Sequence, residues 1–575
     1  MRCNPVSDAL PSNWGVSERD HYWSIQNSVL PGHAPAYGRE GAVTTALNGL
    51  AARVGLGILR EGGSALDAAL ATAFVQIVLG GGAVTSFFGI LGIVHFDATS
   101  GEVTSLNAGW NTCREEKDPL SIPGDTNPGG DGLAEMIRPS EPSGRTALVG
   151  GLLRGAEAAH KRFGRLPWVD LFAPAIELAE TGFSIPPQLA RYMATRQVDL
   201  ARLQQTRAVF LRADGSPFSV GDWFRQPALA QTLRRIANDG ADYIFKGEWA
   251  SRCVAAVRAD GGNMTLTDLS AYRPIWSAPT IFQQDSFELA MLGPPSEGGL
   301  AAAECLNLAT AAQIPALGPW WQSAESLRRI ALCCGATGGM RYESAAQLAA
   351  MFPGIDMSAE ARLEKNHAER LWERLDSPDG PIHLARAGTH SDDVVAADRW
   401  GNMVSLCHSI NCLIWGRTAI VVDGITIGDP ASYMQAQIAA IPPGSALPNP
   451  MQLGMLLRDG QVHTAWSSMG VGLHYMTAQS LLAMMQFHLS LEEVSAMPRL
   501  LFPSSSDREQ THLRLRVVEG EFSEELLAAS GLDVKRLPPE EARFSQGLWV
   551  GIGRDPTGQY CAVSPKYGNG RAVAF

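Results

Sequence analysis

Apolar residues recur at three- and four-residue spacing over much of the first two-thirds of the chain, as in helices with one buried face. Residues 50–60 and 65–78 show this spacing on either side of a Gly62–Gly63 break. Residues 152–163 and 168–181 show it as well, and Gly182 follows the second segment as a helix C-cap would. Further helical patterns cover residues 228–239, 248–260, 299–312 and 323–334.

Strand character is concentrated in four segments, residues 91–96, 102–107, 392–397 and 403–411. Short strand-like runs follow at residues 462–466, 513–518, 548–552 and 560–563. The chain contains no internal repeat and no low-complexity linker. Helical and strand patterns mixed in this way predict an α/β fold in which helices pack on sheets in layers.

The two longest strand patterns flank residues 398–402, whose Gly and Asn suit a hairpin turn. A turn centred on Trp400 places Thr389 opposite Asn411, whereas a turn centred on Gly401 places Ser391 there. Side chains alternate along a strand, so Thr389 and Ser391 share one face and Ser409 and Asn411 share one on the other strand. One end of the hairpin therefore collects hydroxyl and amide groups.

This segment has two interpretations. A solvated polar strand end is favoured by the segment alone, because Ser, Thr and Asn are common there. A catalytic constellation is the alternative, and the rest of the chain favours it.

Composition restricts the function further. The chain has 575 residues, a formal net charge of -12 and an estimated pI near 5.5, and its basic residues are scattered. This balance excludes nucleic-acid binding, which requires clustered positive charge. Nine cysteines without Cys-x-x-Cys spacing predict reduced, buried thiols. We therefore expect no metal site and no cofactor.

Two segments of the sequence bear on the cellular location of the protein. Residues 1–14 show no apolar run of signal-peptide length after a basic start. Residues 68–79 form the most apolar stretch, which is too short to span a bilayer. We expect a cytoplasmic protein that does not contact membranes.

Several motifs, in matching order over roughly residues 40–500, resemble the gamma-glutamyltransferase family. Residues 61–69 are similar to a family helix start of the form Gly-Gly-Asn-Ala-Val-Asp-Ala-Ala, and residues 163–168 with 173–176 match a family stretch almost verbatim. Other similar segments are residues 240–248, 264–269, 294–299, 491–493 and 498–499.

The resemblance implies a four-layer αββα N-terminal-nucleophile fold, made as one precursor that cuts itself before a hydroxyl residue. Matching Val394-Val395 to the family strand places that nucleophile on Thr389, whereas counting back from Gly401-Asn402 places it on Ser391. We favour Thr389 because it keeps the residue type and turns absorb insertions readily. Residues 1–388 then form the large part and residues 389–575 the small part of one integrated fold.

The remaining reaction groups are implied by the same resemblance. Ser409 corresponds to a hydroxyl that supports the nucleophile, and Asn411 to a pocket asparagine. The freed α-amine of the nucleophile would act as base, since its pKa is near neutrality. Met469-Gly470 corresponds to the glycine pair whose N–H groups stabilise the oxyanion.

The acyl-binding residues depart from the family. The family arginine that grips the glutamyl carboxylate is replaced at Gly109, in the run Asn107-Ala108-Gly109-Trp110. The family serine pair reads Asn449-Pro450, and the acidic residues that meet the α-amino group read Pro430 and Tyr433. A bidentate arginine–carboxylate contact contributes about 1.5–3 kcal/mol, so these losses leave a pocket poorly matched to glutamate.

Four nearby charged residues are candidates to replace the lost groups: Arg114, Asp392, Asp393 and Asp429. We expect each of them to be a solvated surface residue. We therefore predict that Asn411, Asn449, Tyr433 and Trp110 line a less charged, partly aromatic pocket.

The predicted function is acyl hydrolysis or transfer on a small, non-glutamyl substrate. The expected cytoplasmic location favours a role in specialised, antibiotic-type metabolism. The predicted reactions include cleavage of a carbon–carbon bond beside a keto group, because some members of the family perform it. A genuine gamma-glutamyl enzyme and an inactive, unprocessed structural homologue are the alternatives. The expected partners are the two fragments of one precursor, with a homo-oligomer as the alternative to a single pair.

Overall fold

A computed structural model describes residues 7–28, 34–124, 141–340, 345–377, 391–412, 414–470, 472–501, 515–542 and 547–575. Thr389 and the proposed cleavage point before it lie outside these residues.

Twenty strands occur in the described part of the chain. In chain order they are β1 Ala36–Gly38, β2 Gly41–Thr45, β3 Ile90–Asp97, β4 Glu102–Ala108, β5 Phe183–Ser184, β6 Trp223–Phe224, β7 Ile275–Ser277, β8 Thr280–Gln284, β9 Phe287–Met291, β10 Ser391–Asp398, β11 Met403–Ser409, β12 Ile420–Val422, β13 Ile425–Ile427, β14 Gln452–Arg458, β15 Gln461–Met469, β16 Leu515–Val518, β17 Val534–Leu537, β18 Leu548–Arg554, β19 Tyr560–Val563 and β20 Ala572–Ala574.

The α-helices of the described residues are α1 Val16–Gln26, α2 Gly49–Arg60, α3 Ala65–Leu79, α4 Leu152–Phe163, α5 Ala173–Thr181, α6 Pro187–Thr195, α7 Gln197–Leu200, α8 Gln204–Phe210, α9 Pro227–Asp239, α10 Asp242–Phe245, α11 Glu248–Ala259, α12 Leu266–Ala271, α13 Gly298–Ala311, α14 Ile314–Leu317, α15 Ala324–Met340, α16 Ala345–Met351, α17 Ala359–Arg362, α18 Lys365–Leu375, α19 Gln435–Ala439, α20 Leu473–Gln486, α21 Leu491–Ala496, α22 Glu524–Ser530 and α23 Pro539–Ala542.

Two seven-stranded antiparallel sheets lie face to face at the centre of the molecule. Sheet 1 has the order β20-β2-β10-β11-β3-β4-β7, and sheet 2 has the order β1-β19-β18-β15-β14-β9-β8. Helices α2, α3 and α4 cover the outer face of sheet 1, and α13, α20 and α21 cover that of sheet 2. One apolar core fills the space between the sheets. The predicted four-layer αββα fold is confirmed.

Helix α3 shows how the sequence positions sheet 1. Ser64 and Asp67 form a capping box in which each side chain bonds the backbone N–H of the other residue. All fifteen residues of α3 are buried, as expected for a helix that is apolar on every side. It packs directly against β10 and β11 and so supports the hairpin from behind.

Most predicted elements are confirmed to within a few residues at each end. The predicted helix over residues 168–181 is instead a 3₁₀ turn, Trp168–Phe172, followed by α5. Pro174 explains the break, because it lacks the N–H of a continuing helix. The predicted strand over residues 403–411 ends at Ser409. Part of the predicted strand over residues 513–518 lies outside the described residues.

The two predicted parts of the chain are interleaved in both sheets. In sheet 1, β2, β3, β4 and β7 precede residue 388 and β10, β11 and β20 come after it, so that β2 lies between the later strands β20 and β10. In sheet 2, the later strands β19, β18, β15 and β14 form one block between β1 on one edge and β9 and β8 on the other. The cut between the parts stays a prediction.

Candidate active site

The β10–β11 hairpin fixes which residues face each other. Ser391 pairs with Ser409 and Ala397 with Met403, so the turn centres on Trp400 rather than Gly401. Gly401 adopts a φ of 91°, and the Asp398 carboxylate accepts hydrogen bonds from the backbone N–H of Trp400 and Asn402. Ser391 therefore lies opposite Ser409, and the register that places it opposite Asn411 is wrong.

Alternate residues of the hairpin face sheet 2. Ser405 donates its hydroxyl to the carbonyl of Trp466 at 2.6 Å, and Val395 and Cys407 belong to the core between the sheets. Ser391 and Ser409 share this face by alternation. They are 7% and 1% exposed, so a polar strand end wetted by solvent is the wrong interpretation of this segment.

Ser409 ends β11 and holds the backbone of the next residues in place. Its Oγ accepts a hydrogen bond from the backbone N–H of Asn411 at 2.7 Å. Asn411 has a φ of 45° and leaves the ladder, so it does not belong to the strand end as predicted. Its side-chain Nδ2 lies 3.8 Å from Met434 Sδ. The hydroxyl of Ser409 and the residue Asn411 are therefore neighbours, and the Asn411 amide lies against Met434.

Asp392 and Asp393 lie on opposite faces of β10, and both are buried rather than solvated as predicted. Asp392 faces the helices and accepts from Leu47 N, Asp393 N and Asn48 Nδ2 at 2.9–3.1 Å. Burial outweighs these donors and raises the pKa of Asp392 to about 7. Burial also raises the pKa of Asp393 well above its usual value, partly offset by the hydroxyl of Ser467 and the thiol of Cys407.

His408 pairs with Asp392 across the hairpin. Its Nε2 lies 2.8 Å from Gln76 Oε1, while Gln76 Nε2 donates to the carbonyls of Leu47 and Asp393. Burial lowers the pKa of His408 to about 3, so it is a neutral part of the support behind β10. This polar network joins α3 and the segment after β2 to the start of β10.

The other two charged candidates are engaged elsewhere. Asp429 is 2% exposed and accepts from the backbone N–H of Arg417 at 2.6 Å, so the predicted surface role is wrong for it. The Arg114 side chain is 47% exposed and lies 3.6 Å from Asp268, in agreement with a surface role.

The turn after β4 contains Gly109, the position to which the resemblance assigns the family arginine. A Cβ at Gly109 would lie 3.0 Å from Asn107 Oδ1 and 3.2 Å from Asn449 Nδ2, so a larger residue there displaces one of these amides. Asn449 donates to Asn107 at 3.2 Å, across 342 positions of sequence. The changes at Gly109 and Asn449 are therefore parts of one local structure.

Trp110 and Tyr433 are both associated with the core between the sheets. Trp110 is 1% exposed and belongs to that core together with Met434, Leu447 and Met451. Tyr433 lies in the 3₁₀ turn Pro430–Tyr433 and packs against the same core. Trp110 and Tyr433 thus both contact the apolar core between the sheets, and the pocket itself stays a prediction. Sequence reasoning missed Met434, for which no motif gave a signal.

Gly470 lies at the end of β15, where the chain turns into α20. It has a φ of 85°, which glycine adopts without strain, and its carbonyl accepts from Leu473 N at 3.2 Å. The first N–H groups of a helix have no partner within the helix and suit an oxyanion. The role of Gly470 stays a prediction.

Metal-binding clusters and membrane-spanning helices are both absent from the described residues. Three or more His, Cys, Asp or Glu side chains nowhere come together there in a way that could hold a metal ion. Within the same part of the chain, no helix has both the length and the apolar character needed to cross a bilayer. Its eight cysteines are free thiols.

Comparison with known proteins decides the family. A family model for gamma-glutamyltranspeptidase matches residues 51–575. The chain belongs to the gamma-glutamyltranspeptidase family. It is an enzyme of this hydrolase and transferase group, with an N-terminal-nucleophile fold.

The similarity to individual family members is low. The chain is 26% identical to the glutathione hydrolase proenzyme of Pseudomonas sp. (strain A14), over 96% of this chain and 97% of that one. It is 27% identical to the acylase ACY 1 proenzyme of Pseudomonas sp. (strain SE83), over 81% and 83%. The solved cephalosporin acylase from Bacillus halodurans has a TM-score of 0.75 at 22% identity, over 96% and 98%, and shares the fold.

Proposed function

We propose that this family member is a self-processing acyl hydrolase or acyltransferase whose acyl group is not glutamyl. The observation that carries the proposal is the turn after β4. There the amides of Asn107 and Asn449 pack against Gly109, where the family holds its arginine. A relative named as an acylase proenzyme supports chemistry on other acyl groups.

In the proposed mechanism, Thr389 attacks the acyl carbonyl after the chain is cut before it, and its freed α-amine takes the hydroxyl proton. Backbone N–H groups near Gly470 stabilise the oxyanion. When this intermediate collapses, the acyl group stays on the Thr389 oxygen as an ester. The leaving group departs and takes the proton from the α-amine. Water or an acceptor then releases the acyl group.

The leaving group can be an amine or, next to a keto group, a carbon. Both cases pass through the same acyl-enzyme ester, so the site chemistry of Thr389 is unchanged. We propose α-keto acyl compounds as the first substrates to test, and specialised metabolism in the cytoplasm as the setting. Fractionation of producing cells tests the location.

The decisive experiment combines mass and turnover. The intact mass of the purified protein should correspond to residues 1–388 and 389–575, and an acyl-enzyme trap should add mass to the smaller fragment alone. Glutathione and gamma-glutamyl-p-nitroanilide should then turn over at least about 100-fold more slowly than the best simple or keto-acyl amide, since specificity follows differential transition-state binding.

Two results would contradict the proposal. If glutathione or gamma-glutamyl-p-nitroanilide turned over as fast as the best simple or keto-acyl amide, the protein would be a genuine gamma-glutamyl enzyme. A single uncut chain without any acyl adduct would assign an inactive homologue.

A further inference from the structure

Two hydrogen-bond donors at the turn after β4 have no acceptor among the described residues. Asn107 is 1% exposed, and its Oδ1 accepts from Gly109 N at 3.0 Å and from Asn449 Nδ2 at 3.2 Å. These bonds fix the orientation of the amide and direct Nδ2 away from both donors. Within the described part of the chain, no atom accepts a hydrogen bond from Asn107 Nδ2.

Trp110 repeats this situation three residues later. Its indole is 1% exposed, and its Nε1 also lacks an acceptor in the portion of the chain that the structure describes. Buried donors in native proteins are nearly always paired. Other unpaired buried atoms occur among the described residues, Trp549 Nε1 for example, but here two donors lie within four residues, which makes this turn a candidate site for an acceptor on a ligand.

The distance between this turn and Ser409, the hydroxyl that the proposed function places beside the nucleophile, sets the length of the acyl group that could reach the turn. Ser409 pairs with Ile90 on β3, and Leu91 pairs with Ala108 on β4, so the turn begins two strands away from Ser409 at the same end of sheet 1. Two strand spacings amount to about 10 Å. Five extended C–C bonds reach about 6 Å, and a hydrogen bond adds about 3 Å. A six-carbon acyl chain thus spans most of the distance.

The surroundings set the charge of the group that binds. Trp110 shares its apolar cluster with Met434 and Met451, and the side chain of Asn411 contacts Met434. An anion bound here would lose its water without meeting a positive charge from either donor residue. A neutral oxygen acceptor needs only the two N–H groups.

We propose that Asn107 Nδ2 and Trp110 Nε1 bind an uncharged carbonyl oxygen at the far end of a five- or six-carbon acyl group. This proposal rests on the proposed function and names its substrate class. The family position that grips a carboxylate is here converted into a site for a ketone, ester or amide oxygen.

The test uses two p-nitroanilides that differ only at the far end. The 5-oxohexanoyl compound carries the acceptor, and the hexanoyl compound does not. For the wild type, we expect kcat/KM to favour the oxo compound by about 10-fold or more, because a site built for a hydrogen bond rejects the analogue that lacks it.

Trp110→Phe removes Nε1 and keeps an aromatic ring, and it should reduce this ratio to about 3 or less by slowing only the oxo compound. Asn107→Asp replaces the second donor by an oxygen and should reduce the ratio in the same direction. Trp549→Phe is the matched control, because Trp549 is also buried, its Nε1 likewise has no partner among the described residues, and it lies on the helix side of sheet 2. It should leave the ratio unchanged.

A wild-type ratio near 1, or a ratio that neither variant reduces, would overturn the proposal while turnover itself still supports the proposed function. If neither anilide is cleaved, binding decides the inference separately from the proposed function, which the mass and turnover experiment above tests. In that case 5-oxohexanamide should raise the Tm of the wild type more than hexanamide does, and Trp110→Phe should remove the difference. Equal shifts would reject the site.

Discussion

The open end of the β10–β11 hairpin, at Ser391 and Ser409, and the turn after β4 lie at the same end of sheet 1, yet they differ in what holds them. The hairpin is a regular ladder buried on both faces, and a one-residue slip would move Ser391 and Ser409 out of the space between the sheets. The turn is irregular, and side chains from distant segments fill it. The proposed reaction groups are therefore constrained by the fold, whereas the proposed acyl-binding groups can change together without disturbing them.

The largest expected effect concerns the reaction end. Thr389→Ala should remain a single chain of residues 1–575, because the hydroxyl that attacks the preceding peptide bond is missing. Intact mass spectrometry checks this, and Ser391→Ala serves as the matched control that should still be cut. A small fragment whose N-terminal sequence begins at Ser391 would reverse the assignment.

Removal of the supporting hydroxyl should have a smaller effect. Ser409→Ala should slow both self-cleavage and turnover by about 10- to 100-fold, since a group that orients the nucleophile is lost. Time courses of cleavage and steady-state kinetics measure it. Ser405→Ala, on the same strand and face but bonded to Trp466, is the control that should change stability alone. Wild-type kinetics for Ser409→Ala would show that Ser409 does not act on the nucleophile.

At the proposed acyl-binding turn, gamma-glutamyl turnover should increase clearly only when Gly109 and Asn449 are changed together. Gly109→Arg alone should raise gamma-glutamyl turnover by less than about 3-fold, because its Cβ meets the amides of Asn107 and Asn449. Combined with Asn449→Ser, which clears one amide, it should raise turnover by about 10-fold. Assays with gamma-glutamyl-p-nitroanilide compare the two, and Gly109→Ala controls for the added Cβ. Equal gamma-glutamyl turnover of the single and double variants would show that positions 109 and 449 act independently, contrary to the prediction.

The support behind the hairpin should affect stability rather than chemistry. The raised pKa of Asp392, about 7 against an ordinary 3.8, means that its stabilising contribution is complete below pH 4 and is lost as the pH rises to 7. Relative to Asp392→Asn, the wild type should lose roughly 1–3 kcal/mol of unfolding free energy between pH 5 and 8. Urea unfolding at both pH values measures this difference.

The exposed Asp459 provides the control, because Asp459→Asn should leave the pH dependence as it is in the wild type. The comparison between variants is needed because His95 and His408, whose pKa values burial lowers to about 4 and about 3, change stability in the opposite direction. Parallel curves for wild type and Asp392→Asn would contradict the prediction.

The sequence predicted helices from the spacing of their apolar residues, and this succeeded for α3 although all of its residues are buried. The sequence did not predict α20, because its buried residues include His474, Thr477, Gln479 and Ser480, so polar and apolar positions do not separate into two faces. It placed Asp392 and Asp393 on the surface, since charged residues are usually solvated, whereas β10 is covered on both sides. The contact between Asn107 and Asn449 could not be predicted either, because no local pattern links residues so far apart.

The presence of early and late strands in both sheets has a thermodynamic consequence. While the chain is continuous, unfolding is unimolecular and its midpoint does not depend on protein concentration. If the chain is cut at the predicted position before β10, each fragment lacks strands that the other supplies, so neither contains a complete sheet. Refolding then becomes an association reaction, and the apparent stability should rise with the concentration of the fragments, as for an obligate dimer.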